Sequence, residues 1–361
     1  MRKTDFITDN SVCLAPMAGV TSSSYRRLCM EHGASFCYSE MISAKALTLK
    51  DKKTYKLMEF SPLERPFGIQ LFGYEPEIMA EAARIIEAEL DPDFIDINMG
   101  CPAPKITGNK SGSALLREHD LACSIAESIL NACSLPVTAK MRLGWDGFSS
   151  LELAKRLEAE GISAIAVHGR TAKQAYKPPV SYDLIGEIRK AVSIPVIANG
   201  DITDESSADN AVRLSGCRSL MIGRGSEGDP FIFGRIRSFL NDGVVLPKPR
   251  DNELFETLFE LCDSLCEEKG LYIGIHEMRK HALSYLRGFP GAASLRNAAV
   301  KLETRADLEE LVRRALSLKY PEPIHKLQIL KQEHISAPAF CFRDISAVHA
   351  DHSLSLLSLS R

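Results

Sequence analysis

A chain of 361 residues, 45% hydrophobic and 25% charged, carries enough apolar material for one large domain and a smaller one, each with its own core. Its net charge of -3 excludes a broadly basic surface that would hold nucleic acid by charge alone, so any RNA contact has to come from a local basic patch. Asp5, Asp9 and Asn10 interrupt the apolar residues of the N-terminus, and no apolar run approaches membrane-spanning length. With ten cysteines, this leads to the expectation of a cytoplasmic protein whose thiols stay reduced.

Short apolar runs rich in β-branched and aromatic residues recur from the N-terminus onward, separated by segments with apolar residues at helical spacing. Strands are expected at 11–16 (SVCLAP), 35–40 (SFCYSE), 67–72 (FGIQLF), 94–99 (FIDINM), 137–142 (VTAKMR), 164–169 (AIAVHG), 195–200 (PVIANG) and 218–223 (RSLMIG). Helices are expected at 76–90, 120–133, 150–161, 182–192 and 204–214, with Gly161 as a stop and Pro136 and Pro195 just before the following strands. Eight such alternations predict an α/β fold, a parallel (β/α)8 TIM barrel over about residues 11–240, with an open doubly wound sheet as the alternative. The barrel is assigned to residues 1–243, and VVLPKPRD (244–251) reads as a proline-bearing linker. Residues 251–318 show helical patterns without strand candidates and predict a small all-helical C-terminal domain, while 319–361 show no sustained period and form an extension of unknown order. Cys262 and Cys266 continue an apolar helical stripe with Phe255, Leu258, Phe259 and Leu265, so they are read as core rather than as half of a metal site, and no metal is expected.

In such a barrel the functional groups gather on the loops at the C-terminal ends of the strands. Those ends carry Pro16 and Met17, then Asn98 and Cys101, Lys140 and Arg142, His168 and Arg170, Asn199 with Gly200 and Asp201, and Gly223 with Arg224, while Gln70 lies within the third strand. Lys140 alone would read as a solvated lysine. Arg142 lies two residues on, so the pleat sends both to one face, and a barrel interior accepts two cations only near an anion or an electron-rich ring. The glycines of IANGD and MIGRG let backbone approach a phosphate after the last two strands, with Arg224 as a fixed charge. GRGSEG (223–228) matches the dinucleotide fingerprint letter for letter, but the βαβ context that motif needs is absent, because one helix and a proline linker follow. Cys101, in DINMGCPAPK (96–105), is either a small buried hydrophobe in a turn or a reactive thiol held at a strand end by stiff backbone.

Taken together, LAPMAGVT (14–21), QLFG (70–73), DINMGCPAPK with SGSALL (111–116), KMRLGWD (140–146), HGRT (168–171) with Gln174 and Tyr176, IPVIANGDI (194–202) and MIGRG (221–225) resemble the tRNA-dihydrouridine synthase family of the bacterial type, flavoproteins that reduce uridine in tRNA. The likeness spans about residues 11–317, and HEMRKHALSYLRGFPGA (276–292) is similar to the family's RNA-binding helical part. The resemblance implies that Pro16, Met17, Ala18, Gln70, Lys140, His168, Asn199, Gly200, Asp201, Gly223 and Arg224 hold FMN, and that NADPH serves as the transient reductant. It implies hydride transfer to C6 of uracil, with Cys101 as the acid that gives C5 its proton and Asn98, Arg170 and Gln174 as candidates at the uracil edge. Thiols with a pKa of about 8.5 are mostly protonated at neutral pH, which suits a donor, and Pro102 and Pro104 restrict the loop that aims it.

A uridine inside folded tRNA must leave its stack to reach such a mouth. Residues 278–301 hold Arg279, Lys280, Arg287, Arg296 and Lys301 and no acid, which makes them the expected RNA grip, with Arg279, Lys280 and Arg287 foremost. Two alternatives stand beside this reading: a flavin oxidoreductase of free pyrimidines, similar to dihydroorotate dehydrogenase, and a tRNA-binding protein with an inert barrel. No membrane and no obligate protein partner are expected.

Overall fold

The computed structural model describes residues 4–321. In chain order the first elements are β1 (Val12–Leu14), α1 (Ser23–Glu31), β2 (Cys37–Tyr38), β3 (Ile42–Ser43), α2 (Ala44–Thr48), α3 (Lys52–Met58), β4 (Phe67–Phe72), α4 (Pro76–Glu89) and β5 (Phe94–Met99). They are followed by α5 (Pro104–Thr107), α6 (His119–Ala132), β6 (Val137–Arg142), α7 (Ser150–Glu160), β7 (Ala164–His168), α8 (Tyr182–Ala191), β8 (Val196–Asn199), α9 (Glu205–Ser215), β9 (Ser219–Ile222) and α10 (Ile232–Asp242). Four helices complete the series: α11 (Asp251–Lys269), α12 (Leu271–Tyr285), α13 (Ala292–Ala299) and α14 (Arg305–Lys319).

All strand pairings are parallel, in the order β1-β9-β8-β7-β6-β5-β4-β2, with β3 as an extra short rung on β4. The seam between β1 and β2 is bridged by the N–H of Ser35 on the Val12 carbonyl at 2.8 Å and the N–H of Leu14 on the Phe36 carbonyl at 3.1 Å, which closes the ring as a TIM barrel. Strands covered by helices outside and by packed side chains inside read as continuous apolar runs, as β5 and β7 do, every residue of each being buried. The helices between them begin and end where local chemistry dictates. Proline opens α4, Asp204 and Ser207 form a reciprocal cap on α9, and Gly161 and Gly216 end α7 and α9 in the left-handed region at φ 111° and 66°.

Two apolar cores result. The larger lies between the sheet and its helices and continues into α11–α14 through residues such as Leu258, Leu261, Cys262, Met278 and Leu311. The smaller fills the barrel from within, where Cys13, Phe36, Tyr38, Phe94, Ile197 and Met221 meet, and Phe6 closes its lower end by stacking on Phe94 at 5.0 Å. Gly68 leaves room for the Phe94 ring, since a Cβ there would lie 2.1 Å from it. Above this plug the inward positions turn polar. Gln70, Asp96 and Thr138 stand in one register row, and Asn98 beside Lys140 in the next. Arg142, His168 and Asn199 form a third.

Helices α11–α14 pack with the barrel in one compact unit that runs to Leu318. The stacking of Tyr25 on His281 at 5.2 Å and the bonds from Ser24 to the Glu268 carboxylate are part of that packing. The stretch 243–250 has no regular structure, as its prolines require, and the 319–361 extension falls almost wholly outside the described residues.

Candidate active site

The polar rows open into a cavity of about 680 Å³ at the C-terminal ends of the strands. Its lining includes Pro16, Met17, Ala18, Gln70, Asn98, Cys101, Lys140, His168, Asn199, Gly200, Asp201, Gly223, Arg224 and Arg287, so fourteen of the residues singled out from the sequence share one space. Arg170, Gln174, Arg279 and Lys280 are not in that lining.

Cys101 follows β5 in a loop held from several sides. Asn98 Oδ1 accepts from the N–H groups of Gly100 at 3.1 Å and Cys101 at 3.0 Å. The Cys101 carbonyl accepts from the N–H of Ser113 at 3.0 Å, and Arg142 Nε donates to the Gly100 carbonyl at 2.8 Å. Gly112, at φ 61°, lets the returning chain pass close beneath, because a Cβ there would lie 2.8 Å from the Cys101 carbonyl oxygen. The thiol itself is half-buried and makes no hydrogen bond among the described residues.

Behind the loop a file of side chains runs through the barrel. Thr138 Oγ1 donates to Asp96 Oδ1 at 2.6 Å, Gln70 Nε2 donates to Asp96 Oδ2 at 2.7 Å, and Asn98 Nδ2 donates to Gln70 Oε1 at 2.7 Å. Asp96 is fully buried, and that burial pushes its carboxyl up to about 6, against the pull of Thr138, Gln70 and Lys140. Asn98, expected at the uracil edge, therefore has its amide engaged within the protein. Sequence reading missed Asp96 and Thr138, although their signal was visible: polar residues at positions 96, 98, 138 and 140 share the inward parity of two adjacent strands.

The other wall is cationic. Burial first, and the neighbouring Arg142 second, bring Lys140 down to about 8, and its Nζ donates to Asn199 Oδ1 at 3.3 Å. Arg142 is spent on carbonyls, those of Thr171 at 3.0 Å and Ala175 at 2.7 Å besides Gly100. Burial, reinforced by Lys140, Arg142, Arg170 and Arg224, lowers His168 to about 2, which keeps its imidazole neutral. Arg170 lies buried behind the wall, gives both terminal nitrogens to the Asp201 carboxylate and donates to the Lys177 carbonyl at 2.8 Å. Asp201 also receives Arg224 Nη2 at 3.0 Å, and the bonds from Arg170 hold its carboxyl below the usual range. Gln174 ties its own loop, donating to the Lys177 and Pro179 carbonyls at 2.8 and 2.7 Å. Tyr176 covers the rim, with the Arg224 guanidinium 4.7 Å from its ring centre.

The lining thus counts Lys140, Arg142, Arg224 and Arg287 against the carboxylates of Asp201 and Glu227, with neutral His168 among them. This donor set fits a phosphorylated group. So does the backbone after β9, where Gly223 and Gly225 bring the chain close enough to Met17 and the Ile202 carbonyl that a Cβ at Gly225 would sit 2.1 Å from the latter. GRGSEG leads from β9 into α10 and then the linker, with no further strand among the described residues.

On the helical side, Arg287 follows α12 and lines the cavity, and its guanidinium has no hydrogen-bond or ion-pair partner among the described residues. Lys280 Nζ donates to the Gly19 carbonyl and lies 3.6 Å from the Glu277 carboxylate, whereas Arg279 gives two nitrogens to the Leu302 carbonyl at 2.9 and 2.7 Å.

A family model described as dihydrouridine synthase matches residues 13–319. The chain is 39% identical over 300 residues to tRNA-dihydrouridine synthase B of Pseudomonas syringae pv. tomato, covering 82% of this chain and 89% of that one. It is 40% identical over 313 residues to a probable tRNA-dihydrouridine synthase of Rhodobacter capsulatus, covering 86% and 95%. Among solved structures, histamine dehydrogenase from Rhizobium sp. 4-9 is similar with a TM-score of 0.50 at 15% identity over 75% of this chain and 49% of that one, a likeness of fold alone.

Proposed function

The chain belongs to the dihydrouridine synthase family, and from that premise we propose that it is a flavin-dependent oxidoreductase that reduces the C5=C6 bond of uridine in tRNA at the cavity just described. The observation that carries the reading is the juxtaposition of a half-buried thiol, Cys101, with a cation-rich wall that fits a phosphorylated cofactor, both facing one space of about 680 Å³. Bound flavin, which we take to be FMN recharged by NADPH, supplies the hydride for C6.

The remaining work falls to the protein. Pro16, Met17, Ala18 and Gln70 would border the ring, and Asn199, Gly200, Asp201, Gly223 and Arg224 would receive the phosphate end, where Gly200 at φ 131° and the glycines after β9 allow close backbone approach. Lys140, cationic below about pH 8, supplies positive charge where negative charge grows during reduction. His168, kept neutral, donates or accepts a hydrogen bond without adding a charge. Cys101 gives a proton to C5 from a loop that cannot swing away. Arg170 and Gln174 hold the loop that would border the uracil edge.

We further propose that residues 1–243 form the catalytic part and 251–318 the part that grips tRNA, through Arg279, Lys280 and Arg287, with Arg287 at the cavity margin nearest the extruded nucleotide. No described helix is long and apolar enough to cross a membrane. A cytoplasmic enzyme acting without a protein partner is the setting this reading implies. The purified chain is expected to carry a yellow chromophore that exchanges for added FMN and, with NADPH, to form dihydrouridine in unmodified tRNA. A preparation that refuses FMN and leaves tRNA unchanged overturns the proposal.

A further inference from the structure

The file of side chains behind Cys101 has a direction. An ionised carboxylate can only accept hydrogen bonds, a backbone N–H can only donate, and a primary amide does one at each end. Because Asp96 Oδ2 accepts from Gln70 Nε2 at 2.7 Å, the Gln70 oxygen must face Asn98. Because that oxygen accepts from Asn98 Nδ2 at 2.7 Å, Asn98 Oδ1 must face the loop, where it accepts from Gly100 and Cys101 at 3.1 and 3.0 Å. The three side chains are all at most 7% exposed, so a misdirected partner in the file is costly.

We propose that Asp96 is a positioning residue that sets the orientation of the Gln70 and Asn98 amides and thereby supplies the oxygen that anchors the Cys101 backbone. This deepens the reading of Cys101 as the proton donor and rests on it. Asp96 does not line the cavity. Lys140 on β6 and the Cys13 and Tyr38 side chains of β1 and β2 face it electrostatically, and Thr138 Oγ1 fills its second oxygen. Burial pushes its carboxyl up to about 6, which leaves it ionised, and the file correctly directed, at neutral pH.

The direction can be reversed on purpose. Asn98→Asp still accepts from the two loop N–H groups, but it turns an oxygen toward Gln70 Oε1, and flipping Gln70 then sets its oxygen against Asp96. Adding Asp96→Asn removes that conflict. The new Asn accepts from Thr138 and donates to Gln70 Oε1, Gln70 donates to the new Asp, and every group is again paired.

Three quantities are measured on the full chain: dihydrouridine formed in a single turnover, the thermal midpoint, and the rate at which iodoacetamide alkylates Cys101, resolved by peptide mass spectrometry. Asn98→Asp is expected to lower turnover by about tenfold or more, to lower the midpoint and to change the alkylation rate, as groups sharing one network do. The double variant Asp96→Asn with Asn98→Asp should return to the parent midpoint and to within about threefold of the parent alkylation rate, the two readouts that do not depend on Asn98 meeting the substrate. If Asn98→Asp fails to fold, recovery of folding by the second change supports the proposal equally. An unimpaired Asn98→Asp, or a double variant no better than the single, overturns it. The midpoint and the alkylation rate report on the file even where the parent forms no dihydrouridine, so failure of the functional reading is told apart from failure of the file.

Discussion

Replacing Cys101 by alanine separates its chemistry from its packing. The side chain is half-buried at the cavity wall and its sulfur holds no hydrogen bond among the described residues, so removing one atom there is expected to cost at most about 1 kcal/mol of stability. The loop keeps its shape, since its anchors are the backbone groups of Gly100 and Cys101 bonded to Asn98, Arg142 and Ser113. Loss of a positioned general acid lowers a rate about 10²–10⁴-fold, equivalent to about 2.7–5.5 kcal/mol in the barrier. The assay is single-turnover formation of dihydrouridine in unmodified tRNA by the pre-reduced protein, alongside the flavin absorption band, the affinity for tRNA and the melting curve. Absorption, affinity and melting should match the parent while the rate falls by at least a hundredfold, about 2.7 kcal/mol. Cys101→Ser, close in shape but a far weaker acid, should behave like the alanine variant. A correctly folded alanine variant turning over within about threefold of the parent, well short of the usual general-acid effect, refutes the proton-donor role.

Lys140 is charged below about 8 because burial and Arg142 depress it, so it is expected to contribute to a fall in rate as pH rises through that value. Lys140→Met should slow turnover at neutral pH by about 10–10²-fold and make the fall through about pH 8 shallower, and Lys140→Arg should move its share of the limb beyond the measured range; an alkaline limb unchanged in both variants excludes Lys140 as a source. Gly112→Ala places a Cβ 2.8 Å from the Cys101 carbonyl oxygen at φ 61°, so it should cost about 1–2 kcal/mol of stability and displace the thiol, with a loss of turnover of about tenfold or more. Parent-like melting and turnover in that variant would show that the close passage does not constrain the loop.

The barrel was legible because its strands are buried on both faces and spell apolar runs of four to six residues, such as FGIQLF and FIDINM, each followed by a helix of regular spacing. Sequence reading left out the nine-residue α1, whose only buried apolar residues are Tyr25, Leu28 and Cys29, and otherwise missed elements that are short or non-periodic. The two-residue strand β3 and the five-residue α2 are too brief to show a period, and Phe6 enters the barrel from a segment with no regular structure. The site was legible as a set of residue types and positions, since strand ends converge on one mouth whatever bonds they form. The bonds were not legible. Arg170 and Arg224 look alike in sequence, yet one is buried behind the wall and the other lies on it, though both hold Asp201. Arg279 and Arg287 belong to one basic stretch, yet Arg279 is committed to the Leu302 carbonyl, whereas Arg287 reaches the cavity. Partner choice depends on which strands become neighbours, and a linear pattern of charges does not contain that information.

The arrangement around residues 98–101 shows where the fold invests its specificity. A buried carboxylate in a barrel interior is costly, and a cheaper apolar filling would hold the strands together equally well. Asp96 is retained inside a core otherwise closed by Phe36, Tyr38 and Phe94, and its hydrogen bonds lead away from that core toward a single loop. Arg142 reaches the same loop from β6, and Ser113 with Gly112 reaches it from the returning chain. Three independent elements therefore fix the backbone of Gly100 and Cys101, while the sulfur is left without a hydrogen bond. That division suits a group whose task is to surrender a proton along a set direction: the scaffold constrains where the thiol points and leaves the S–H bond uncommitted. A purely structural cysteine would show the reverse, a sulfur packed into the core on a backbone held by ordinary sheet pairing, as at Cys13, which lies opposite Met221 of β9.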